Sequence, residues 1–451
     1  MTLIPNIPEI FTPTDITPTP EIDEEFNWRN CWYPITFIQD LPSNRPYSFS
    51  LYDEPLVLFR NQDGQLICLS DRCPHRAAKL SDGQIIDGKI ECLYHGWQFG
   101  SGGECLHIPQ LPADGKIPAK ACVQSFFVVE KQGLIWMWAG EAETADENSI
   151  PTLPDLDKPG FVHSQKVSEL PFDQGYFIEQ VLDPAHVDIS HDGSQGNRKN
   201  AQPLEMEIIE SSLAGIKARF RRTRTPNDSW KYLKFVAPNL VLLNFYIEKK
   251  GWVFGLALYS MPVGKNRCRV LTRSYRNFFQ WKLKMTPRWL IHLGQSKILE
   301  EDLQLVVGQQ ECIERSQKSL KELYLPLKTS DTILLEYRKW LDRFCSSVPF
   351  YHGYTTQKLG EHHDQTQDEE VSIARYHHHT KFCTSCSRTH QTTIQLKQIF
   401  VGIAIAFAAV AIVMDGFLIK FLLVSASLSS VGLAVLANKL KTKFERSYTR
   451  N

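Results

Sequence analysis

Short apolar runs separated by Asp-Gly turns fill the first third of the chain. Residues 55–59, 65–70 and 89–92 predict short strands, with turns at 63–64, 82–83 and 87–88. Residues 126–130 and 134–138 predict a further hairpin around Gln132-Gly133, so this part reads as a small antiparallel β domain. A Pro- and acid-rich stretch, 141–165, predicts a linker. Longer runs follow. Residues 239–247 and 252–259 predict a hairpin across a Glu-Lys-Lys-Gly turn, 267–275 adds a strand, and helices at about 280–295, 297–323 and 331–345 cover the sheet. A polar stretch, 354–395, ends at two apolar runs, 399–414 and from Gly416 to Ala437. Each is at the short end for a bilayer helix, which needs about 20 residues. Around Asp415-Gly416 they predict a transmembrane hairpin over 396–438, with a buried soluble hairpin as the plainer alternative. Lys397 before it and Lys439, Lys441, Lys443 and Arg446 after it put both ends on the positive, cytoplasmic-type side, and Lys420 snorkels at the far surface.

The predicted organisation is α+β. A lead-in (1–26) precedes the small β domain (27–140), the linker (141–165) and a larger domain (166–353). The polar stretch (354–395), the hairpin (396–438) and a basic tail (439–451) follow. With 451 residues and a formal net charge of zero, nothing points to a nucleic-acid partner. Eleven cysteines without a secretory leader do not read as a disulfide framework, which implies a reducing compartment. Residues 1–26, rich in Pro, Thr and acidic side chains, predict a disordered segment that is neither signal nor transit peptide.

The chemistry is concentrated in Cys73-Pro-His75 and Cys92-Leu-Tyr-His95. Each arm offers one thiolate and one imidazole, the set that a Rieske [2Fe–2S] cluster needs, two cysteines on one iron and two histidines on the other. A structural zinc site is the competing use of two Cys and two His. The flanking residues, Arg76, Leu80 and Gly83 after the first arm and Gly96-Trp97-Gln-Phe99 after the second, match the Rieske pattern. Neither arm has the extra cysteine of respiratory Rieske subunits, so the match is to the ferredoxin and ring-oxygenase branch. Cys31, Cys68, Cys105 and Cys122 are expected to be packing residues.

Downstream, Asp183-Pro184-Ala-His186-Val-Asp188-Ile-Ser-His191 resembles the segment of Rieske non-haem iron oxygenases that supplies two histidines to a mononuclear iron. Such an iron wants two His and one carboxylate on one face. On a straight helix His186 and His191 would sit roughly 140° apart, so the helix must end or loosen between them. Asp192-Gly193 supplies an end, and Asp183-Pro184 suits an N-cap. The resemblance implies that Asp302, in a later helix, is the third ligand; Glu300 and Glu301 beside it are the alternatives. Phe245, Trp252 and Phe254 either line a substrate pocket or are plain core.

A late Cys383-x-x-Cys386 and the apolar hairpin, together with Asn30-Cys31-Trp32-Tyr33-Pro34-Ile35, make the chain similar to the pheophorbide a oxygenase family. The resemblance covers most of the chain from about residue 27. It implies a helix-grip catalytic domain, one [2Fe–2S] cluster and one mononuclear Fe(II). It also implies ferredoxin as electron donor, O₂ as co-substrate, a hydrophobic tetrapyrrole-type substrate and a membrane location in a cyanobacterial member. Within a homotrimer of this kind, Asp183 would bridge His95 of one subunit to His186 of the next. Cys383 and Cys386 would be a redox dithiol answering to thioredoxin, on a polar and partly exposed linker. A zinc site with His377, His378 and His379 is the competing reading. Other function classes are a tethered thioredoxin-responsive redox protein and a Rieske protein that only carries electrons.

Overall fold

The computed structural model describes residues 25–225, 228–247, 250–356 and 373–448. The expected lead-in therefore lies outside the described residues except for Glu25 and Phe26, as do 357–372 of the polar stretch and the last three residues. Phe26 is buried against Trp340, ring centroids 5.9 Å apart, and its amide donates to Phe344 O at 2.8 Å.

Three small antiparallel sheets form the first domain. One carries Trp32–Phe37, Leu134–Trp138 and Val128–Lys131. A second carries Tyr47–Leu51, Glu54–Arg60, Leu66–Ser70 and Ser125–Phe126. The third, Gln84–Ile86, Lys89–Glu91, Gln98–Phe99 and Cys105–His107, projects the two Cys-His arms. The predicted hairpin around Gln132-Gly133 forms, but its outer strand starts at Val128. Phe126 instead pairs with Cys68 in the neighbouring sheet.

The second domain is built on a seven-stranded antiparallel sheet. Its order is Val162–Leu170, Arg267–Arg276, Trp252–Gly264, Leu240–Ile247, Lys231–Val236, Gly215–Arg222 and Leu204–Ser212. The first strand begins inside the interval expected as linker. The last three escaped prediction, the outer two because charged residues alternate with apolar ones at an exposed edge. There Glu207–Arg219 and Glu205–Arg221 pair across the strands at 2.6 Å.

Eight α-helices accompany these sheets among the described residues: α1 Gln174–Val181, α2 Val187–Ser190, α3 Gln280–Met285, α4 Arg288–Ser316, α5 Leu320–Leu323, α6 Thr332–Phe344, α7 Thr384–Val413 and α8 Phe417–Glu445. The expected break at 295–297 is absent, and Thr286-Pro287 makes the break instead. Pro287 donates no amide hydrogen and disfavours helical backbone just before it. From there α4 runs 29 residues to Gln317, whose φ is 54°. Helices α1, α4 and α6 pack on one face of the sheet through Tyr176, Phe177, Leu303, Val306, Tyr337 and Trp340. A buried Arg338–Glu179 ion pair joins α6 to α1, and Gln310 Oε1 accepts the Asp173 amide at 2.9 Å, joining α4 to the start of α1.

Helices α7 and α8 form the C-terminal hairpin and are long and apolar enough to cross a membrane. Their apolar stretches present Ile405, Ile412, Phe417 and Leu418 outward. Helix α7 begins well before the predicted span, because the polar residues from Thr384 already belong to it and pack on the larger domain.

Candidate metal centres

The two Cys-His arms are built to one plan. In each, the cysteine carbonyl accepts an amide four residues later (Ala77 at 2.9 Å, Gly96 at 2.8 Å). The cysteine amide in turn donates to a carbonyl five residues later (Ala78 at 2.8 Å, Trp97 at 2.9 Å). Ala77 and Gly96 occupy matching left-handed positions, φ 57° and 75°. A Cβ on Gly96 would also come within 2.9 Å of Pro109, which explains glycine there. Cys73 and Cys92 are buried, whereas His75 and His95 are half-buried at the tip with ring centroids 4.3 Å apart. The His75 ring stacks on Trp97 at 4.8 Å, and Gln110 Nε2 donates to His95 O at 2.9 Å. Burial, with Cys92 alongside, pushes the Cys73 thiol up to about 11. His75 Nδ1 is buried without a hydrogen-bond partner, as a nitrogen left for a metal would be. Two buried thiols beside two imidazoles fit a Rieske cluster.

Of the four packing cysteines expected, Cys68 and Cys105 are buried and Cys31 is partly so. Cys122 is exposed, because only its neighbours Ala121 and Val123 face the core.

His186 and His191 bracket α2, a helix of four residues. Helix α1 stops before Asp183, whose Oδ1 accepts the Ala185 amide at 2.7 Å, so Asp183 closes a turn rather than capping α2. After α2 the His191 carbonyl accepts the amides of Ser194, Gln195 and Gly196. Gly196 is packed so closely on the Val187 carbonyl that no side chain fits. This loosened segment lets residues that a straight helix would separate bring their ring centroids to 5.3 Å. Arg222 holds α2 from the sheet, its Nη2 donating to both Asp188 oxygens at 3.0 and 2.7 Å.

Asp302 of α4 completes the group. Its Oδ2 lies 2.9 Å from His191 Nε2 and 3.9 Å from His186 Nε2. One ligand atom of each residue lies within 4.8 Å of the other two, the donor set of a two-histidine, one-carboxylate iron. Glu301 points elsewhere, its Oε2 lying 2.9 Å from His191 Nδ1 and accepting from Ser194 Oγ at 2.7 Å. Glu300 points away altogether, to Arg375 and His378. Burial works against charge on His191, but Asp302 and Glu301 outweigh it and raise its pKa. Burial likewise opposes a charged Asp302, but His191 and His186 prevail and hold it below the usual carboxylate range. Asp183 Oδ2 is 3.5 Å from His186 Nδ1. A cavity of about 450 Å³ opens beside the group, walled by Asp183, His186, Ser190, Asp302, Val306 and Leu334. Phe254 lines a different cavity, of about 250 Å³, that shares no residue with it.

Residues 31–127 match the Rieske [2Fe-2S] domain, and residues 235–319 match pheophorbide a oxygenase. The chain is 35% identical to protein TIC 55 of Pisum sativum, with 90% of this chain and 79% of that protein aligned. It is 30% identical to pheophorbide a oxygenase of Arabidopsis thaliana, with 94% and 84% aligned. This chain belongs to the pheophorbide a oxygenase family of Rieske non-haem iron oxygenases. Members carry one [2Fe–2S] cluster and one mononuclear iron, and the enzyme class is oxygenase. The family also reaches a flavonoid 8-hydroxylase of Ocimum basilicum, 27% identical, with 90% of this chain and 88% of that protein aligned. Among solved structures, dicamba monooxygenase bound to dicamba has a TM-score of 0.59 and 25% identity, with 70% of this chain and 96% of that chain covered.

The late cysteines are not where a family-type dithiol was expected. Cys383 and Cys386 are both buried, because Cys383 is the N-cap of α7 and the first turn is pressed on strand Val162–Leu170 and α4. Of the three histidines proposed to join them, His377 is exposed and His378 turns to Glu300 at 3.0 Å. Only His379 faces the thiols. His292 was missed as a functional residue, and Glu301, an alternative third ligand in the sequence, proves instead to stand behind His191. Periodicity carries no sign of them, since the buried residues of α4 from His292 to Asp302 (His292, Ser296, Glu300 and Asp302) are all polar, and the apolar stripe starts only at Leu303.

Proposed function

We propose that this protein is a membrane-anchored oxygenase that inserts oxygen from O₂ into a hydrophobic ring, a chlorophyll-derived tetrapyrrole such as pheophorbide a. The observation that carries the reading is the convergence of His186, His191 and Asp302 on the wall of a cavity, in a chain with two Cys-His arms and an apolar hairpin. Cys73 and Cys92 hold one iron of the cluster and His75 and His95 the other; His186, His191 and Asp302 hold the mononuclear iron. When bound, the two centres supply electron delivery and O₂ activation.

The chain's own residues orient and enclose. Glu301 fixes the His191 ring by accepting a hydrogen bond from its Nδ1–H, and Ser194 Oγ donates to Glu301 in turn. Leu305, Val306 and Leu334 dry the cavity wall, while the Tyr324 hydroxyl donates to Glu179 Oε1 at 2.9 Å and holds the polar side. The cavity lies within the ~300–1,000 Å³ range of small-molecule sites. Leu93 and Tyr94, each 60% exposed, form an apolar collar beside His95. That collar suits docking on a neighbouring copy in a homotrimer, in which Asp183 links His95 of one subunit to His186 of the next. Ferredoxin is the electron donor. The hairpin anchors the catalytic part on the cytoplasmic-type side of the bilayer, the side on which its flanking Lys and Arg residues lie, where a lipid-partitioning substrate is at hand.

The test is turnover of the iron-loaded protein with reduced ferredoxin and ¹⁸O₂ against chlorophyll derivatives and flavones. A labelled tetrapyrrole product supports the reading. Labelled flavone with no tetrapyrrole product overturns the substrate class, and electron uptake with no labelled product overturns the oxygenase role.

A further inference from the structure

Away from the iron triad, four ligand-type side chains from three segments meet in the interior. His292 comes from α4, His379 from the wide turn Tyr376–Thr380, and Cys383 and Cys386 from the start of α7. One ligand atom of each lies within 4.8 Å of all the others. His379 Nε2 is 3.3 Å from Cys386 Sγ, and His292 Nδ1 is 3.4 Å from Cys383 Sγ and 3.5 Å from Cys386 Sγ. In a tetrahedron with metal–sulfur bonds of about 2.3 Å and metal–nitrogen bonds of about 2.0–2.1 Å, the N···S edge is about 3.6 Å. The side chains already stand at the spacing of a coordination shell.

The outer nitrogens settle what the inner ones offer. His292 Nε2 lies 2.7 Å from Gln165 O, and His379 Nδ1 lies 2.5 Å from Val167 O, two carbonyls of one strand. A carbonyl only accepts, so each ring spends its N–H outward and turns a lone pair toward the thiols. That is the arrangement found behind metal-bound histidines. All four residues are at most 1% exposed, so no side is open for substrate or water, which marks a structural rather than a catalytic site. Two thiolates and a divalent cation cancel, so the occupied site buries no net charge.

We infer that His292, His379, Cys383 and Cys386 bind a structural divalent metal ion, zinc by its donor set and closed geometry. Binding releases two thiol protons to solvent and moves no electrons. The ion ties the root of α7 to strand Val162–Leu170 and to α4. Asp302 follows His292 by ten residues on α4, roughly 15 Å along the helix. The membrane hairpin is thereby stapled to the helix that supplies the carboxylate of the iron triad. This inference does not depend on the identity of the substrate.

The experiment uses the full chain purified in detergent, anaerobically and with thiols kept reduced. Elemental analysis should find one zinc per chain besides the iron. X-ray absorption at the zinc edge should find two sulfur neighbours at about 2.3 Å and two nitrogen neighbours at about 2.0–2.1 Å. Cys386→Ser should lose that zinc at least tenfold and keep the cluster's EPR signal; if that variant fails to fold, the wild-type absorption spectrum decides alone. Zinc with nitrogen and oxygen neighbours only has replaced the triad iron and overturns the inference. So does zinc-free protein whose two thiols are alkylated freely or cycle through a disulfide with thioredoxin.

Discussion

Glu300, Glu301 and Asp302 follow one another on α4, and the ~100° step of the helix sends each carboxylate to a different partner. Asp302 faces both histidine Nε2 atoms, Glu301 sits behind His191, and Glu300 faces the tail. Glu301→Gln should therefore weaken mononuclear iron binding about 10–100-fold, the usual cost of losing a carboxylate behind a ligating histidine. Iron titration of the apoprotein reads this, with the cluster's EPR signal as the unchanged control. Wild-type iron affinity in that variant would mean that packing alone orients His191. Asp183→Asn should keep both centres and lose nearly all substrate oxidation, because in the proposed trimer Asp183, 3.5 Å from His186 Nδ1, would link His95 of one subunit to His186 of the next. Metal analysis beside a turnover assay separates the two effects, and full turnover would show that electrons reach the iron by another route.

At the scale of elements, α4 is the shared beam. One side of it reaches the iron triad, and another fastens the chain's return from the hairpin. Glu300 accepts from Arg375 and from the Tyr448 amide, at 2.6 and 2.7 Å, and pairs with His378 at 3.0 Å. Glu300→Gln would leave Arg375 buried without its counter-charge, a cost of about 3–5 kcal/mol. The expected outcome is a lower melting temperature and faster proteolysis near residue 375, with the cluster still assembled. In the wild type, burial would raise the Glu300 carboxyl, but Arg375 and His378 outweigh it and hold it at about 2 against the ordinary 4.5. A depressed acid stabilises the fold most above its unfolded value. This contribution is therefore complete above about 4.5 and drains as pH falls toward about 2. A pH dependence of tail docking unchanged by Glu300→Gln would refute that assignment.

At the scale of the whole molecule, the hairpin is part of the catalytic body at its root and separate from it at its tip. Phe444 is fully buried, Thr380 Oγ1 donates to its carbonyl at 2.7 Å, and His390 meets Glu445 at 3.0 Å. Further out, Lys397 Nζ donates to Asn438 Oδ1 at 3.1 Å, where the two helices are already side by side. Replacing 399–437 by a short Gly-Ser turn should release the protein from membranes and leave cluster and iron in place. Deleting everything after 392 should instead destabilise the domain, because Phe444, Glu445 and Tyr448 go with it. Sedimentation with membranes, alongside iron content, distinguishes the two constructions. A hairpin-less protein that still pellets would overturn the anchor.

The two Cys-His arms, the two histidines of the candidate iron site and the apolar hairpin were legible in the chain itself, because each is a local pattern: Cys and His two to five residues apart, or a run of apolar residues. The α+β class followed from the alternation of strand and helix periods, although the strands at 204–222 hid behind their charges. Tertiary structure alone decided what lies between distant segments. His191 and Glu301 are 110 residues apart, and His292 is 91 residues from Cys383. No spacing rule links residues so far apart. Hydrophobic patterning is blind to them as well, since it finds buried faces by their apolarity and the buried residues of α4 from His292 to Asp302 are all polar. Burial decided the fate of the Cys383/Cys386 pair for the same reason. Their surroundings in the chain are polar, and only the fold encloses them.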